Sequence, residues 1–245
     1  MDISSWIGRH AAFSPRKTAI RFEGNQVSYG DFARQIGALA GVLHHRLGIR
    51  RGDRIAYLGQ NHPDMLALLF ACARLGAILM PMNWRLHRRE LEQMLDDCGP
   101  SVLISDKTYN VAAGRNVPDM SLTLLSRLCS TTSAMHAHVP DSAGDAVLLC
   151  YTSGATGKPK GVVLDQHALL INALNSMHLH GLTAEDVVLT TLPMFHVGGL
   201  NILTLPILYA GGTLILHRVF DVDATFRALS DDKATLTVLV PTQIV

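Results

Sequence analysis

The sequence has almost no net charge and only four cysteines, and both shortages exclude classes of protein. Its 21 basic and 20 acidic residues leave a formal charge of +1, so nucleic acid is not an expected partner. No CxxC pair and no secretory signal occur, which argues against a disulfide-stapled secreted protein. The pattern predicts small buried hydrophobic side chains in a reducing, cytoplasmic compartment for Cys72, Cys98, Cys129 and Cys150.

No stretch of the sequence has the form of a membrane span. The amino terminus, MDISSWIGRHAAF, has no long apolar run and does not resemble a signal peptide. The most apolar stretch, residues 65–82, carries Arg74 in its middle, which would cost about 2.5–3.5 kcal/mol at a bilayer centre. Gly76 and Pro81 interrupt it further. We predict a buried helix followed by a buried strand, and no integral membrane segment.

Several catalytic and metal-binding motifs are also missing. The twelve histidines include no HExxH pair and no pair four residues apart on a helix, so a structural metal is not predicted. No G-x-S-x-G nucleophile elbow occurs, and no G-x-G-x-x-G follows a strand. A serine hydrolase and a dinucleotide-binding fold are therefore unsupported.

Short β-like runs alternate with helical patterns along the 245 residues. This rhythm predicts an α/β fold with mainly parallel sheets and helices on both faces. Residues 107–143, rich in Ser, Thr and Pro, are expected to form a surface excursion or a poorly ordered connection, with a subdomain boundary within 107–145. The predicted strands are 19–22, 27–28, 54–58, 77–80, 102–105, 146–151, 161–164, 187–191, 213–217 and 235–240; the predicted helices are 29–47, 64–75, 88–98, 166–180, 198–210 and 222–230.

The densest chemical signal is a loop between two apolar strands, in the run AVLLCYTSGATGKPKGVVL at 146–164. Glycines let backbone N–H groups approach an anion, and hydroxyls and lysines add donors and charge. A mononucleotide P-loop is not indicated, because Lys158 is followed by Pro159 and then by a strand. The alternative is a plain polar hairpin. The predicted phosphate-binding residues are Thr152, Ser153, Gly154, Ala155, Thr156, Gly157, Lys158, Pro159 and Lys160.

Residues 151–161 resemble the signature of the AMP-binding, or adenylate-forming, family, which contains acyl-CoA synthetases, luciferases and peptide-synthetase adenylation domains. The usual order is Y-T-S-G-T-T-G-x-P-K-G, and Ala155 here replaces a hydroxyl residue. A hydrogen bond to a charged group contributes about 1.5–3 kcal/mol. If that hydroxyl meets a phosphate in the family, ATP handling should be weaker here, with Thr152, Ser153 and Thr156 as compensating donors.

Two further segments carry the resemblance. Residues 192–201, LPMFHVGGLN, resemble the family's P-x-F-H-x-x-G signature, which implies an acyl pocket shaped by Phe195, His196, Gly198 and Gly199. Residues 83–86 with Glu90-Leu91 resemble the N-x-R-L and E-L pattern of acyl-CoA synthetases. Asp165 suits an N-cap for the helix that follows the loop, and His167 is interpreted as part of that capping.

The resemblance implies ATP-dependent conversion of a fatty or aryl carboxylic acid to an acyl-adenylate and then to an acyl-CoA. ATP, Mg²⁺ and coenzyme A are the implied small molecules, and a homodimer is compatible with it. The loop at 152–160 would hold the phosphates, with Thr152 and Thr156 near Mg²⁺. His196 and Lys160 are the implied catalytic residues.

The sequence ends in what resembles the first turn of a helix after strand 235–240. The family's adenine-binding segment, its metal-binding Glu, its ribose-binding Asp and its mobile domain with the adenylating Lys are not found before Val245. We therefore expect the N-terminal half of such a ligase, with little or no activity alone. The alternatives are a non-catalytic remnant that binds nucleotide or a partner, and an unrelated kinase that would release ADP.

Overall fold

Two β-sheets and the helices around them make up the computed structural model, which describes residues 3–106, 111–112, 117–135, 144–152 and 159–244. The helices are α1 (Ser4–Phe13), α2 (Tyr29–Gly41), α3 (Pro63–Leu75), α4 (Arg88–Cys98), α5 (Leu122–Thr131), α6 (Gln166–His180), α7 (Val197–Asn201), α8 (Thr204–Ala210) and α9 (Val222–Ser230). The strands are β1 (Thr18–Phe22), β2 (Asn25–Ser28), β3 (Arg54–Leu58), β4 (Ile78–Met82), β5 (Val102–Ser105), β6 (Asp119–Ser121), β7 (Ala146–Thr152), β8 (Lys160–Asp165), β9 (Val187–Thr190), β10 (Thr213–Leu216) and β11 (Leu236–Thr237). A π-helical turn, Val42–Arg46, extends α2, and a 3₁₀ turn covers Pro241–Gln243.

The strand pairings confirm the predicted α/β fold with mainly parallel sheets. Among the described residues, one sheet has the order β6-β5-β3-β4-β7-β8 and the other the order β11-β9-β10-β1-β2. All neighbours pair in parallel except the β7–β8 and β1–β2 hairpins, which are antiparallel. The carboxyl ends of the parallel strands in each sheet therefore share one edge, where loops that bind ligands collect in such folds.

Both faces of each sheet are covered, which explains the continuous apolar runs of the strands. In β3, Ile55 and Tyr57 belong to the largest core cluster, while Ala56 and Leu58 face a second cluster under α4. The largest cluster unites both sheets through α1, α2, α3, α6 and α8, so these helices form a central layer. The outer face of the other sheet packs on α9 through Ala228.

Helix α3 and strand β4 confirm the buried helix and buried strand predicted for residues 65–82. Every residue of α3 except Asp64 is buried. The buried Arg74 donates from its guanidinium to the carbonyl of Met135 at 2.9 Å. Within the described part of the chain, no helix combines the length and the apolar character that a membrane crossing requires.

The amino-terminal residues form a helix and a hairpin that join elements distant in sequence. Helix α1 was not predicted; Trp6 packs edge-on against Phe70 and Tyr209, with ring centroids 6.2 and 4.8 Å apart. Strand β1 pairs with β10, so Ile20 stands opposite Leu214. The subdomain boundary within 107–145 stays a prediction.

The predicted helix 198–210 is wrong in one respect, because it is broken into α7 and α8. Pro206 has no N–H, and its ring would clash with the carbonyl of Ile202 in a continuous helix. That carbonyl instead accepts from Ser176 Oγ at 2.5 Å, and the carbonyl of Asn201 accepts from Asn172 Nδ2 at 2.6 Å. Side chains of α6 therefore satisfy the backbone groups that the break exposes.

Two other predicted segments also differ. The connection at 107–143 contains β6, which pairs with β5, and α5, which Ser121 caps through the amide of Leu124. Ser105 Oγ also donates to Asp119 Oδ1 at 2.8 Å. Residues 107–110, 113–116 and 136–143 lie outside the described residues. The predicted strand 235–240 is shortened to β11, which pairs with β9 alone among the described strands.

The four cysteines are free thiols. Cys72, Cys98 and Cys150 are buried, as predicted, and Cys129 is half-buried. Burial raises the pKa of the Cys98 thiol to about 11 and that of Cys150 to about 12. Both thiols are therefore protonated at neutral pH and act as small hydrophobic side chains.

Candidate functional site

The strands of the β7–β8 hairpin flank the predicted phosphate loop. Thr152 pairs with Lys160 at the end of the ladder, and both residues are exposed. Pro159 is half-buried beside them. The remaining loop residues lie outside the described part of the chain: Ser153, Gly154, Ala155, Thr156, Gly157 and Lys158. The phosphate-binding roles of the loop, and of Thr152 and Thr156 toward Mg²⁺, stay predictions.

Tyr151 lies next to the loop, one residue before the last pair of the β7–β8 ladder. Its hydroxyl donates to Asp97 Oδ2 at 2.5 Å, and burial together with this bond raises the pKa of Tyr151 above its usual value. Gly161 stands opposite Tyr151, where an added Cβ would lie 2.8 Å from Cδ1 of Leu149. Tyr151 and Gly161 therefore pack side by side at the loop end of the β7–β8 ladder.

His196 caps α7 with its own side chain. Its Nδ1 accepts from the amide of Gly198 at 3.0 Å, and its backbone amide donates to the carbonyl of Pro193 at 3.2 Å. A ring nitrogen that accepts an N–H carries no proton, so in the neutral ring Nε2 holds the hydrogen. The imidazole is exposed, which leaves Nε2–H available as a donor to an oxygen of a ligand.

Gly199 lies against the backbone that precedes His196. A Cβ at this position would approach the carbonyl oxygen of Pro193 to 2.3 Å and that of Leu192 to 2.8 Å. The motif glycine therefore permits a turn that no larger residue could make without a backbone shift. The turn is also held by Thr204 Oγ1, which donates to the carbonyl of Gly199 at 2.6 Å.

A cavity of about 320 Å³ brings three sequence motifs together at the carboxyl ends of the strands. Phe195 and His196, the predicted acyl-pocket residues, lie on its wall with Thr152 and Pro159 of the loop. Gly198 and Gly199 line a separate small recess behind α7. Among the described residues, the lining of the 320 Å³ cavity is Pro81, Asn83, Leu86, Glu90, Met94, Tyr151, Thr152, Pro159, Phe195 and His196.

The N-x-R-L segment contributes more to this cavity than its sequence signal indicates. Asn83, Leu86 and Glu90 line the cavity, and Glu90 Oε2 accepts from the amide of His87 at 2.9 Å in a capping box. Arg85 is not one of the described residues that line the cavity. Its guanidinium stacks on Trp84, with 5.0 Å between Cζ and the ring centroid. Sequence reasoning missed Pro81 and Met94, whose apolar character gives no functional signal.

Asp165 confirms its predicted role as an N-cap. Its Oδ1 accepts from the amide of Ala168 at 2.7 Å, and α6 begins at Gln166. His167 is exposed in the first turn of α6. The capping by Asp165 directs the chain from β8 into the central helical layer.

Stability should fall as the pH drops from 7.5 to 5.5, with His217 as one cause. Burial is the main factor that lowers the pKa of His217 below its ordinary 6.5, and its Nδ1 has no hydrogen-bond partner among the described residues. In the unfolded chain the His217 side chain therefore binds a proton near pH 6.5, whereas in the folded chain it does so only at lower pH. The contribution of His217 to stability is complete above pH 6.5 and decreases below it.

Thermal unfolding at the two pH values checks this effect. His217→Gln should show a smaller decrease in Tm than the wild type, whereas His167→Gln, an exposed control, should behave as the wild type. The carboxyl group of Glu23, with its pKa lowered from 4.5, titrates below this window. An equal decrease in Tm for wild type and His217→Gln would contradict the prediction.

Comparison with known proteins decides the family. The sequence pattern of the family described as AMP-binding enzyme matches residues 7–245. The chain belongs to this family. The predicted membership of this family is thereby confirmed, and the fold agrees with the N-terminal domain of adenylate-forming ligases.

The relatives of this chain include proteins named as CoA ligases or CoA synthases. An indoleacetate–CoA ligase of Aromatoleum aromaticum is 48% identical over 259 residues, which covers 100% of this chain and 50% of that protein. A feruloyl-CoA synthase of an Amycolatopsis species is 39% identical over 98% of this chain and 49% of its own length. The chain thus spans about half the length of the curated relatives it matches.

Solved structures of the AMP-binding family superpose closely. A putative long-chain-fatty-acid CoA ligase from Rhodopseudomonas palustris matches with a TM-score of 0.92 and 30% identity, over 100% of this chain and 64% of that one. ATP-bound MatB from the same organism matches with a TM-score of 0.88 and 28% identity, over 99% of this chain and 50% of its own.

Proposed function

We propose that the ligase represented by this chain uses ATP to convert a carboxylic acid to an acyl-adenylate and then transfers the acyl group to coenzyme A. The observation that carries the proposal is the cavity shared by the three motif segments. Relatives named as CoA ligases, and an ATP-bound neighbour of the same fold, support it.

The cavity wall favours an aryl acid over a long aliphatic one. Pro81, Leu86, Met94 and Phe195 give it an apolar wall, which suits the ring of an aryl acid. The relatives named for indoleacetate and ferulate point to the same class. A fatty acid, the other predicted substrate class, is the second candidate, supported by the structural match to a long-chain ligase.

His196 is proposed to orient the substrate carboxylate. Its exposed Nε2–H donates to a carboxylate or adenylate carbonyl oxygen, and the capping bond from Gly198 keeps the ring in this tautomer. The reaction needs the acid held in line with the α-phosphate, so positioning and charge stabilisation supply most of the rate. His196 needs no proton transfer for this role.

ATP and Mg²⁺ are proposed to lie at the loop end of the β7–β8 hairpin. Thr152 and Lys160 are exposed there, and a hydroxyl and an ammonium group fit a polyphosphate. No group of three or more His, Cys, Asp or Glu side chains among the described residues could hold a metal ion. We propose that Mg²⁺ would be held there through the nucleotide phosphates, whose charge it would neutralise.

A cytoplasmic location is part of the proposal. Four free thiols, three of them buried and none in a disulfide, suit a reducing compartment. A homodimer stays a prediction, which light scattering of the purified chain checks.

The purified 245-residue chain should release little or no pyrophosphate with any acid. We expect ATP binding without turnover, because the chain covers half of its relatives and the family's downstream motifs are not in it. The assay measures pyrophosphate release with indoleacetate, ferulate and a fatty acid. The carboxyl-terminal half of the Aromatoleum ligase is then added as a separate chain, which should restore acid-dependent formation of AMP.

The products separate the candidate functions. AMP and pyrophosphate, formed only with an acid present, support the ligase. Release of ADP would indicate a kinase, and ATP binding with no turnover in either experiment would favour a non-catalytic remnant. Clear turnover by the chain alone would contradict the expected dependence on a second half.

A further inference from the structure

Asn61 is a buried amide that joins the carboxyl ends of both sheets. It lies shortly after β3, and only 4% of its surface is exposed. Its Nδ2 donates to the carbonyl oxygens of Leu192 and His217, each at 3.0 Å. Its Oδ1 accepts from the amide of Met194 at 2.8 Å. Both amide hydrogens and the carbonyl oxygen of this side chain are therefore in use.

These bonds hold the segment that leads from β9 to His196. Leu192 and Met194 lie outside any strand or helix, so their backbone groups have no ladder partners. Asn61 supplies those partners from the other sheet, across 131 and 133 residues of sequence. Beyond His196 the chain is held by a local hydrogen bond, which Thr204 Oγ1 donates to the carbonyl of Gly199.

We propose that Asn61 is a positioning residue for His196: its carboxamide fixes the backbone at Leu192 and Met194, and this fixes where the imidazole stands on the cavity wall. The inference rests on the proposed function, in which His196 orients the substrate carboxylate. Asn61 itself touches no reacting atom. It acts through the backbone that carries Phe195 and His196.

Only an amide supplies this set of bonds. An aspartate at position 61 would lose both donors and turn a negative charge toward the carbonyls of Leu192 and His217. A leucine has a similar shape but leaves without this partner the buried amide of Met194 and the partly buried carbonyls of Leu192 and His217. The carboxamide therefore matches two acceptors and one donor that lie on different elements.

NMR of the chain tests the proposal without any ligand. In the wild type, the amide hydrogen of Met194 should exchange slowly although it belongs to no regular element. In Asn61→Leu it should exchange about tenfold faster or more, the ratio expected for one lost hydrogen bond. The ¹⁵N signals of the His196 ring should also shift or broaden, because the ring no longer keeps one position. Asn61→Ser serves if the leucine variant does not fold.

Gln166→Leu is the matched control. Gln166 is a fully buried amide whose Oε1 accepts from the amide of Ile3 at 3.1 Å and whose Nε2 donates to the carbonyl of Ala73 at 3.2 Å. Its loss should lower Tm like that of Asn61, but it should leave the His196 ring signals and Met194 exchange unchanged.

The outcomes are distinct from those of the ligase assay. A change in the His196 signals with Asn61 variants alone supports the positioning role, whether or not the chain binds ATP. Fast exchange of Met194 in the wild type overturns it. Equal effects of Asn61 and Gln166 variants on His196, or no effect of either, overturn it as well.

Discussion

Gly199→Ala should lower the free energy of unfolding by about 1–3 kcal/mol and displace the segment that carries His196. The added Cβ would lie 2.3 Å from the carbonyl oxygen and 2.6 Å from the carbonyl carbon of Pro193. Both are backbone atoms, so no side chain can rotate away, and either α7 or residues 192–194 must move. For a chain of this size the corresponding decrease in Tm is roughly 2–12 °C.

Gly198→Ala is the matched control, one residue away in the same helix. Among the described residues, its Cβ would meet only His196, with Nδ1 at 3.2 Å and Cε1 at 3.8 Å, so a small adjustment of the ring suffices. Thermal unfolding measures both effects, and Gly198→Ala should lower Tm less than Gly199→Ala. Equal Tm values for the two variants would contradict the close approach of Gly199 to the backbone of Pro193.

Lys160→Met should weaken ATP binding by about tenfold to a hundredfold. A hydrogen bond between a charged donor and a phosphate oxygen contributes about 1.5–3 kcal/mol, and each 1.4 kcal/mol is a factor of ten. Lys160 opens β8 opposite Thr152, so the ladder fixes its backbone at the mouth of the predicted loop. The side chain is exposed, which leaves its ammonium group accessible to a polyphosphate.

Lys233→Met removes the same charge elsewhere. Lys233 is exposed after α9, with φ at 58°, so this variant shows how much of any effect comes from net charge alone. Calorimetry with ATP measures both affinities, and Lys233→Met should bind like the wild type. An unchanged affinity of Lys160→Met would remove Lys160 from the phosphate site and favour the plain polar hairpin.

Local chemistry accounts for the elements that sequence reasoning placed correctly. Helix α4 ends where Gly99-Pro100 predicts, with Gly99 at a φ of 56° that glycine adopts at least cost. Asp165 starts α6 because its carboxylate reaches a free helical amide. Such signals lie within a few residues of the structure they determine, so they can be recognised without the fold.

Contacts between distant segments account for what the sequence did not show. Ser176 and Asn172 donate hydrogen bonds to the carbonyl groups that the break between α7 and α8 exposes. Helix α1 is held by the contacts of Trp6 with Phe70 and Tyr209. Of the candidate site, the Phe195-His196 pair and the hairpin ends were predicted. Pro81, Met94 and Asn61 were not, because an apolar residue or a lone amide has no local signature for such roles.

The amino-acid sequence by itself determined the family, the alternation of strands and helices and the three motifs, because each is written in neighbouring residues whose spacing sets their chemistry. The tertiary structure alone decided that these motifs share one cavity and that Asn61 ties the two sheets together beside it. The physical reason is that hydrogen bonds and packing depend on distance in space, and Asn61 meets its partners more than 130 residues away along the chain.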